Sequence, residues 1–461
     1  MKKDSYGSIV KNTSGLLFAV MGLCAFAYAE TATQPNTMRA AEKRGLLELY
    51  ELATEHDMRY QASVANFEAN SLEPNISRAQ LLPSVSFRTN RTKVNDQKVR
   101  GVTFEGGGNF SYQRRNMTLS LDQSIFNRKY YIELAQSRSR AQRAQLELQS
   151  AQHDLMQRMV ETYFTVLDSQ TQLEFTRAKK EAVQRQLEQA RARFDVGLAT
   201  ISDVKEAEAS YDLTVANEIS DETELSVNLS KLQVIINEHV WALKTISEDT
   251  PIVHPEPKNI NAWVGTATEQ NLELLAQKLT VNISEDEVKR QRANYFPTLD
   301  AYVRRNENET FGNIPTENTV RGTELGIELQ IPLFSGGENY YRTKQASQFA
   351  LENRKQLEET HRMIKQQAQE SYLNVLASIS RTQALARAVE SAQSAYEANE
   401  IGFSVGTRSS VDVLLAVEEL FAAKRDYITA RHRYVVDLIN LKRVAGILSA
   451  TDIQQIDQWL R

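Results

Sequence analysis

The side chains best placed for chemistry lie in two short, related stretches of the 461-residue chain. The first stretch covers residues 193–204 and the second covers residues 402–413. Each contains an aspartate, Asp203 or Asp412, three residues after a hydroxyl side chain. This spacing allows a carboxylate to cap a helix N-terminus, where its negative charge is stabilised. The chemistry expected at these stretches is therefore ionic and hydrogen-bonding rather than covalent.

Motifs typical of enzymes are missing from the sequence. The six histidines include no pair at i, i+3 or i+4, so no zinc site is predicted. Neither a Gly-x-Ser-x-Gly nucleophile motif nor a Walker loop occurs, although the chain contains many Asp and Glu residues. We therefore expect no enzymatic activity, no metal and no cofactor.

The first 29 residues have the three parts of a secretory signal peptide: N-terminal lysines, an apolar run over 15–27, and Ala27-Tyr28-Ala29. Cys24, the only cysteine, lies within that apolar run. Without the three lysines and the one aspartate of this segment, 51 basic and 58 acidic side chains remain. That balance argues against a nucleic-acid partner. No later apolar run reaches 18 residues, so a membrane could be crossed only by β-strands.

Long helices must position the two stretches. Residues 128–196 contain neither Gly nor Pro, and apolar side chains recur there in steps of seven. A helix of that length would measure about 100 Å. A second helix is predicted from Asp203 to about Thr245, and residues 338–401 form another segment without Gly or Pro. Each stretch is therefore predicted to be the turn of a long helical hairpin.

The chain is an internal duplication. Phe194 aligns with Phe403, and the offset between matching motifs stays between 208 and 214 residues throughout. A repeat with so constant an offset indicates two copies of one structural unit. The predicted organisation is a signal peptide over 1–29, a first repeat over 30–250, a linker over 251–264 and a second repeat over 265–461.

Each repeat carries two predicted strands. They cover residues 84–90 and 117–122 in the first repeat, and 298–309 and 321–334 in the second. In the last one, apolar residues alternate with polar residues, as in a membrane barrel or a half-buried strand of a soluble sheet. Four strands cannot close in lipid, where unpaired backbone groups are costly. Three copies would supply twelve strands, which is enough for a pore.

The sequence resembles the TolC family of outer-membrane efflux proteins. The resemblance rests on the two Phe-x-Val-Gly turns, on residues 331–337 and 404–408, and on Val411-Asp412-Val413. It implies a mixed α/β membrane protein: a trimeric 12-stranded outer-membrane β-barrel, four strands per chain, continuous with a long periplasmic α-helical barrel. It also implies an exit duct for drug efflux, type I protein secretion or both, in the outer membrane of a Gram-negative bacterium.

The implied partners are two further copies of the chain, outer-membrane lipid, a periplasmic adaptor protein and an inner-membrane transporter of RND, ABC or MFS type. The alternative is a trimeric coiled-coil adhesin anchored at the surface, without conductance. The returning hairpins speak against it, because a stalk would run in one direction.

The resemblance also assigns roles to residues of the two turns. The periplasmic gate would comprise Asp412, Arg408, Ser202, Asp203, Phe403 and Leu415. Two of these depart from the family pattern, because Leu415 stands where the family has an acidic residue and Phe403 lacks a hydroxyl group. From spacing alone, capping remains an alternative for both aspartates. For Asp203, capping and a tip contact are equally compatible with the sequence.

A second group is implied to dock the adaptor. It comprises Val196, Gly197, Leu198, Val405, Gly406 and Thr407. The glycines could alternatively serve only to end helices in the left-handed conformation, and the other side chains could pack between neighbouring helices.

Overall fold

In the computed structural model, the described residues are 43–98, 109–247, 250–313 and 318–461. The predicted signal peptide lies outside them. Residues 43–461 form one compact unit. Its elements are α1 (Leu46–His56), α2 (Met58–Ser71), α3 (Glu73–Ala79), β1 (Ser84–Lys98), β2 (Asn109–Phe126), α4 (Arg128–Asp195), α5 (Ile201–Ile236), α6 (Ile260–Gln270), α7 (Leu272–Ala293), β3 (Thr298–Asn313), β4 (Asn318–Gln330), α8 (Glu338–Ser404), α9 (Ser410–Ala445) and α10 (Ala450–Gln458).

The four strands form one antiparallel sheet in the order β1-β2-β3-β4. Pairing of β2 with β3 joins the two repeats, and β1 and β4 form the sheet edges. The last strand ends earlier than predicted, at Gln330, so placing Ile331 and Leu333 in it was wrong. The physical reason is Pro332, which has no N–H to donate to a sheet.

Residues directly opposite in neighbouring strands point to the same side of the sheet. Apolar residues are paired with apolar residues near the helices, so the sheet has one apolar face and one polar face. The apolar face includes a row of four exposed residues, Val85, Leu121, Val303 and Leu325. The polar face includes the neighbouring row, Ser86, Ser120, Arg304 and Glu324. On that face the hydroxyl groups of Ser86 and Ser120 lie 2.8 Å apart.

The predicted long helices are present. Helix α4 has 68 residues and α8 has 67, which at 1.5 Å per residue gives about 100 Å each. Helix α5 is shorter than predicted and ends at Ile236, because Asn237 adopts the left-handed conformation with φ 56°. None of the described helices is both long enough and apolar enough to cross a membrane.

The main hydrophobic core lies around the middle of α4, where α1, α10 and the C-terminal parts of α5 and α9 pack against it. Tyr163 is fully buried there, and its hydroxyl donates a hydrogen bond of 2.7 Å to the carbonyl of Lys244. Asp57 caps α2 through the N–H of Tyr60 and pairs with Arg158 of α4 at 2.9 Å. The core therefore joins both hairpins about halfway along their length.

Beyond the core, each hairpin extends to its turn, and α4 of the first hairpin contacts α9 of the second. From Phe164 in the core to Asp195 at the end of α4, the helix covers about 46 Å. Along this part, Lys179 of α4 pairs with Glu418 of α9 at 2.6 Å, and Phe175 lies 6.1 Å from Phe421. The turns therefore lie at the ends of long, mostly polar helices.

Candidate functional site: the two hairpin turns

The first turn ends α4 with glycine in the left-handed conformation. Gly197 has φ 75°, and its N–H donates a hydrogen bond of 2.9 Å to the carbonyl of Phe194. The N–H of Leu198 donates a hydrogen bond of 2.8 Å to the carbonyl of Arg193. This pair of bonds is the Schellman arrangement, which satisfies the last carbonyls of a helix. Any other L-residue at Gly197 would be strained, although nothing lies within 4 Å of the position its Cβ would take.

The second turn ends α8 in the same way. Gly406 has φ 81°, and the N–H of Thr407 bonds to the carbonyl of Gly402 at 2.8 Å. A Cβ on Gly402 would come within 2.7 Å of Cγ of Arg408. Gly402 is therefore required for a reason not visible in the sequence: its missing side chain leaves room for the arginine to fold against the helix end.

Both predicted capping interactions are present. At the first turn, Asp203 accepts hydrogen bonds from the N–H and hydroxyl of Thr200 at 2.7 and 2.8 Å. At the second, Asp412 accepts the same two bonds from Ser409, both at 2.9 Å. The backbone N–H bond, followed by the hydroxyl bond, lowers the pKa of each carboxyl, and Arg408 lowers that of Asp412 further. Both aspartates are thus held as carboxylates at the starts of α5 and α9.

A cation–π contact joins the two hairpins close to their turns. The guanidinium carbon of Arg193, at the end of α4, lies 4.2 Å from the ring centroid of Phe403, near the end of α8. Arg193 occupies the position that aligns with Gly402 in the second repeat, so this contact has no counterpart by symmetry. Phe403, which lacks the family's hydroxyl group, therefore contacts the other hairpin through its ring.

Leu415 lies on α9, one helical turn beyond Asp412, and is exposed. It lines a cavity of about 240 Å³ between the two hairpins, together with Glu206 of α5 and Glu418 of α9. Lys179 also lines this cavity and pairs with Glu418, so the apolar side chain of Leu415 lies beside both acidic and basic groups.

The residues predicted to dock an adaptor are exposed at the turns. Leu198 is 77% exposed, and Val196 and Val405 are each 68% exposed. Thr407 is also exposed, and its hydroxyl donates to the carbonyl of Gly402 at 3.0 Å. Within the chain, Val196, Leu198 and Val405 are thus not packed into the turns.

The structure brings some predicted gate residues together and leaves others apart. Asp412 and Arg408 are neighbours in one turn, whereas no hydrogen bond joins Arg408 to Ser202 within the described part of the chain. Ser202 is exposed. The sequence did not predict a contact for Arg193. The one indication was that Arg193 and Gly402 differ, although they occupy equivalent positions in the two repeats.

Comparison with known proteins agrees with this architecture. A family model described as outer membrane efflux protein matches residues 49–238 and 263–447. Outer membrane protein TolC of Vibrio cholerae is 31% identical over 424 residues, which cover 90% of this chain and 94% of that protein. The alkaline protease secretion protein AprF of Pseudomonas aeruginosa is 27% identical over 419 residues, covering 89% and 86%. The structure of the Campylobacter jejuni CmeC outer membrane channel superposes with a TM-score of 0.74 at 14% identity, covering 93% of this chain and 94% of that one.

The fold is that of an outer-membrane channel. The chain belongs to the outer membrane efflux protein family. It is accordingly an exit duct of the outer membrane that extends into the periplasm. The predicted fold class is confirmed, since four strands per chain lead into long helices in two repeats.

Proposed function

We propose that three copies of the chain close their sheets into a twelve-stranded barrel, and that their helices continue it as a periplasmic tunnel. The observation that carries this proposal is the four-stranded sheet with two open edges, β1 and β4, and one exposed apolar face. Unpaired strand edges in lipid cost several kcal/mol per group, so the edges require partners. A neighbouring copy offers β1 to β4 and β4 to β1. The repeat boundaries at 30–250, 251–264 and 265–461 are part of the same proposal.

The constriction of this duct is proposed to lie at the second turn. Three copies of Asp412 would form a ring of carboxylates, whose lowered pKa keeps them charged at neutral pH. Such a ring attracts cations and narrows the passage. Arg408, Ser202 and Asp203 would surround the ring, while Leu415 contributes an apolar surface. The contact between Arg193 and Phe403 would hold the two hairpins of each chain together when the duct is closed.

The docking surface is proposed to lie at the first turn and its counterpart. Val196-Gly197-Leu198 presents two exposed apolar side chains on a rigid glycine turn, and Val405-Gly406-Thr407 presents one. Exposed apolar groups on a water-facing tip are typical of protein-binding sites. The partner would be a periplasmic adaptor protein, connected to an inner-membrane transporter of RND, ABC or MFS type.

The cargo is proposed to include both small molecules and proteins. One relative is a protein for secretion of alkaline protease, and the family as a whole is described by efflux. The adhesin alternative gains no support from these relatives. A deletion strain should lose resistance to drugs, secretion of specific proteins, or both, and expression of this chain should restore the lost phenotype.

The decisive experiment measures ion conductance of the purified protein in planar lipid bilayers, together with its oligomeric state. Trimers that form ion-permeable channels would support the duct. If no channels appear even when substitutions at the turns remove the proposed constriction, the duct proposal would be refuted.

A further inference from the structure

The apolar face of the sheet changes character along the strands. Near the helices its rows are apolar, as in Val303 beside Leu325. Further from the helices, the same face carries charged side chains. Among the described side chains of this face, five are basic and two are acidic, an excess of three positive charges: Arg91, Lys93, Arg115, Arg305 and Arg321 against Glu307 and Glu309.

The opposite face of the sheet has no such excess. Over the same strands its described charged side chains are three basic and four acidic: Arg88, Arg114 and Arg304 against Asp122, Asp300, Glu324 and Glu328. Among the described residues, the excess of positive over negative charge therefore lies on one side of the sheet. We call the five basic residues of the apolar face the cationic band.

Two of the five residues of the cationic band form ion pairs within the chain. Arg115 pairs with Glu309 at 2.6 Å, and Arg321 pairs with Glu307 at 2.9 Å. These two pairs account for both carboxylates in the described part of this face.

The other three basic residues have no carboxylate within ion-pair distance among the described residues. Arg305 donates to the hydroxyl of Thr323 at 3.0 Å. Arg91 donates to the amide oxygen of Gln113 at 2.8 Å and lies 5.5 Å from the Phe311 ring centroid. These neutral partners orient the guanidinium groups without neutralising them. Lys93 is exposed.

The position of the cationic band indicates what it faces. Strand β2 leads directly into α4 and β4 leads towards α8, so the helices join the opposite end of the sheet. Counted along β3 from Val303, the strand advances about 7 Å to Arg305, about 13 Å to the row of Arg321 and about 20 Å to the row of Arg91 and Arg115. With the helices in the periplasm, the cationic band lies at the outer boundary of the hydrocarbon region, with Arg305 at its inner edge and the other four residues towards the outer lipid headgroups. This placement depends on the orientation given under the proposed function.

We propose that the cationic band binds the phosphate groups of the anionic glycolipid in the outer leaflet. Guanidinium groups bind phosphate with two parallel hydrogen bonds, and apolar side chains directly below them hold the acyl chains of the same molecule. The three cations that lack a carboxylate partner among the described residues of each chain give a trimer nine positive charges around its circumference. The interaction is with bound lipid on the outside of the barrel and leaves the conducting path untouched.

The test uses the trimer in nanodiscs of phosphatidylcholine that contain a small fraction of bis-phosphorylated lipid A. Enrichment of lipid A at the protein is measured by native mass spectrometry, with dephosphorylated lipid A as the second probe. The variant Arg91→Gln/Lys93→Gln/Arg305→Gln removes the three uncompensated cations. The matched control, Arg88→Gln/Arg114→Gln/Arg304→Gln, removes three cations from the opposite face of the same sheet.

Each basic side chain near an anionic surface contributes about fivefold to lipid affinity, so the first variant should lower lipid A enrichment by at least tenfold. The control variant should retain the wild-type enrichment, and dephosphorylated lipid A should not be enriched by any of the three proteins. Equal enrichment in the first variant and the wild type would overturn the proposal. So would enrichment that does not depend on the phosphates.

Conductance and trimer formation are measured on the same preparations. A protein that forms no channels, even with substitutions at the turns that remove the proposed constriction, would contradict the proposed duct, whatever its lipid binding. A conducting trimer that shows no preference for lipid A would contradict the cationic-band proposal alone.

Discussion

The contact between Arg193 and Phe403 gives the sharpest prediction for the closed state. Replacing Arg193 by Gln removes the cation that lies 4.2 Å from the Phe403 ring and leaves a shorter, neutral polar side chain. Because this contact joins the two hairpins close to their turns, its loss should favour separation of the tips. We expect the Arg193→Gln protein to open more often than the wild type.

The size of the effect follows from the strength of one such contact. A cation–π interaction at a partly exposed site is worth about 0.5–1 kcal/mol, so three copies would contribute about 1.5–3 kcal/mol to the closed trimer. If the contact exists only in the closed state, its loss shifts the opening equilibrium by about 10- to 150-fold. The measurement is the open probability of single channels in planar bilayers.

Matched variants make this test specific. Arg191→Gln removes a neighbouring arginine that pairs with Glu208 at 3.4 Å within the first hairpin, so it should not open the channel. Phe403→Leu should open it, and Phe403→Tyr should not, because the ring is retained. Unchanged open probability in Arg193→Gln, or equal opening in Arg191→Gln, would contradict the reasoning.

Three further predictions concern the same turns. Asp412→Ala should raise conductance and weaken block by divalent cations. Asp203→Ala removes an equivalent cap from a residue beside the ring and not in it, so it should weaken the block less; equal effects would mean that Asp412 only caps α9. Leu198→Gln should abolish drug efflux while trimers still form. Met58→Gln, at a similarly exposed site on α2, should leave drug efflux unchanged. Normal drug resistance in the Leu198→Gln protein would contradict the docking role. Both aspartates have lowered pKa values in the folded turns, so the unfolded turns bind more protons at acidic pH. The two carboxylates therefore stabilise the turns fully above the ordinary carboxyl pKa, and this stabilisation is lost as the pH falls through the lowered pKa values of the folded state. The protection factors of the amide hydrogens in residues 193–204 and 402–413 should therefore fall below about pH 4, and an Asp203→Ala/Asp412→Ala protein should lack that part of the decrease.

Local interactions explain why much of the fold could be predicted. The glycine turns and the capping aspartates depend on residues within six positions of one another, and both were predicted at the correct residues. The long helices also follow from a local property, the absence of Gly and Pro over more than sixty residues. The end of α5 was missed because Asn237 is a weaker signal than glycine, and the end of β4 was missed despite Pro332.

By itself the sequence determined the duplication, the four strands, the two hairpins and the chemistry of their turns. Only the tertiary structure decided which residues of one hairpin meet those of the other. Arg193 and Phe403 lie far apart in the chain, and no local pattern records their contact. The same holds for the cationic band, because it exists only once strand pairing has fixed which side chains share a face of the sheet. Periodicity gives the faces of each element, whereas register and packing between elements decide what those faces meet.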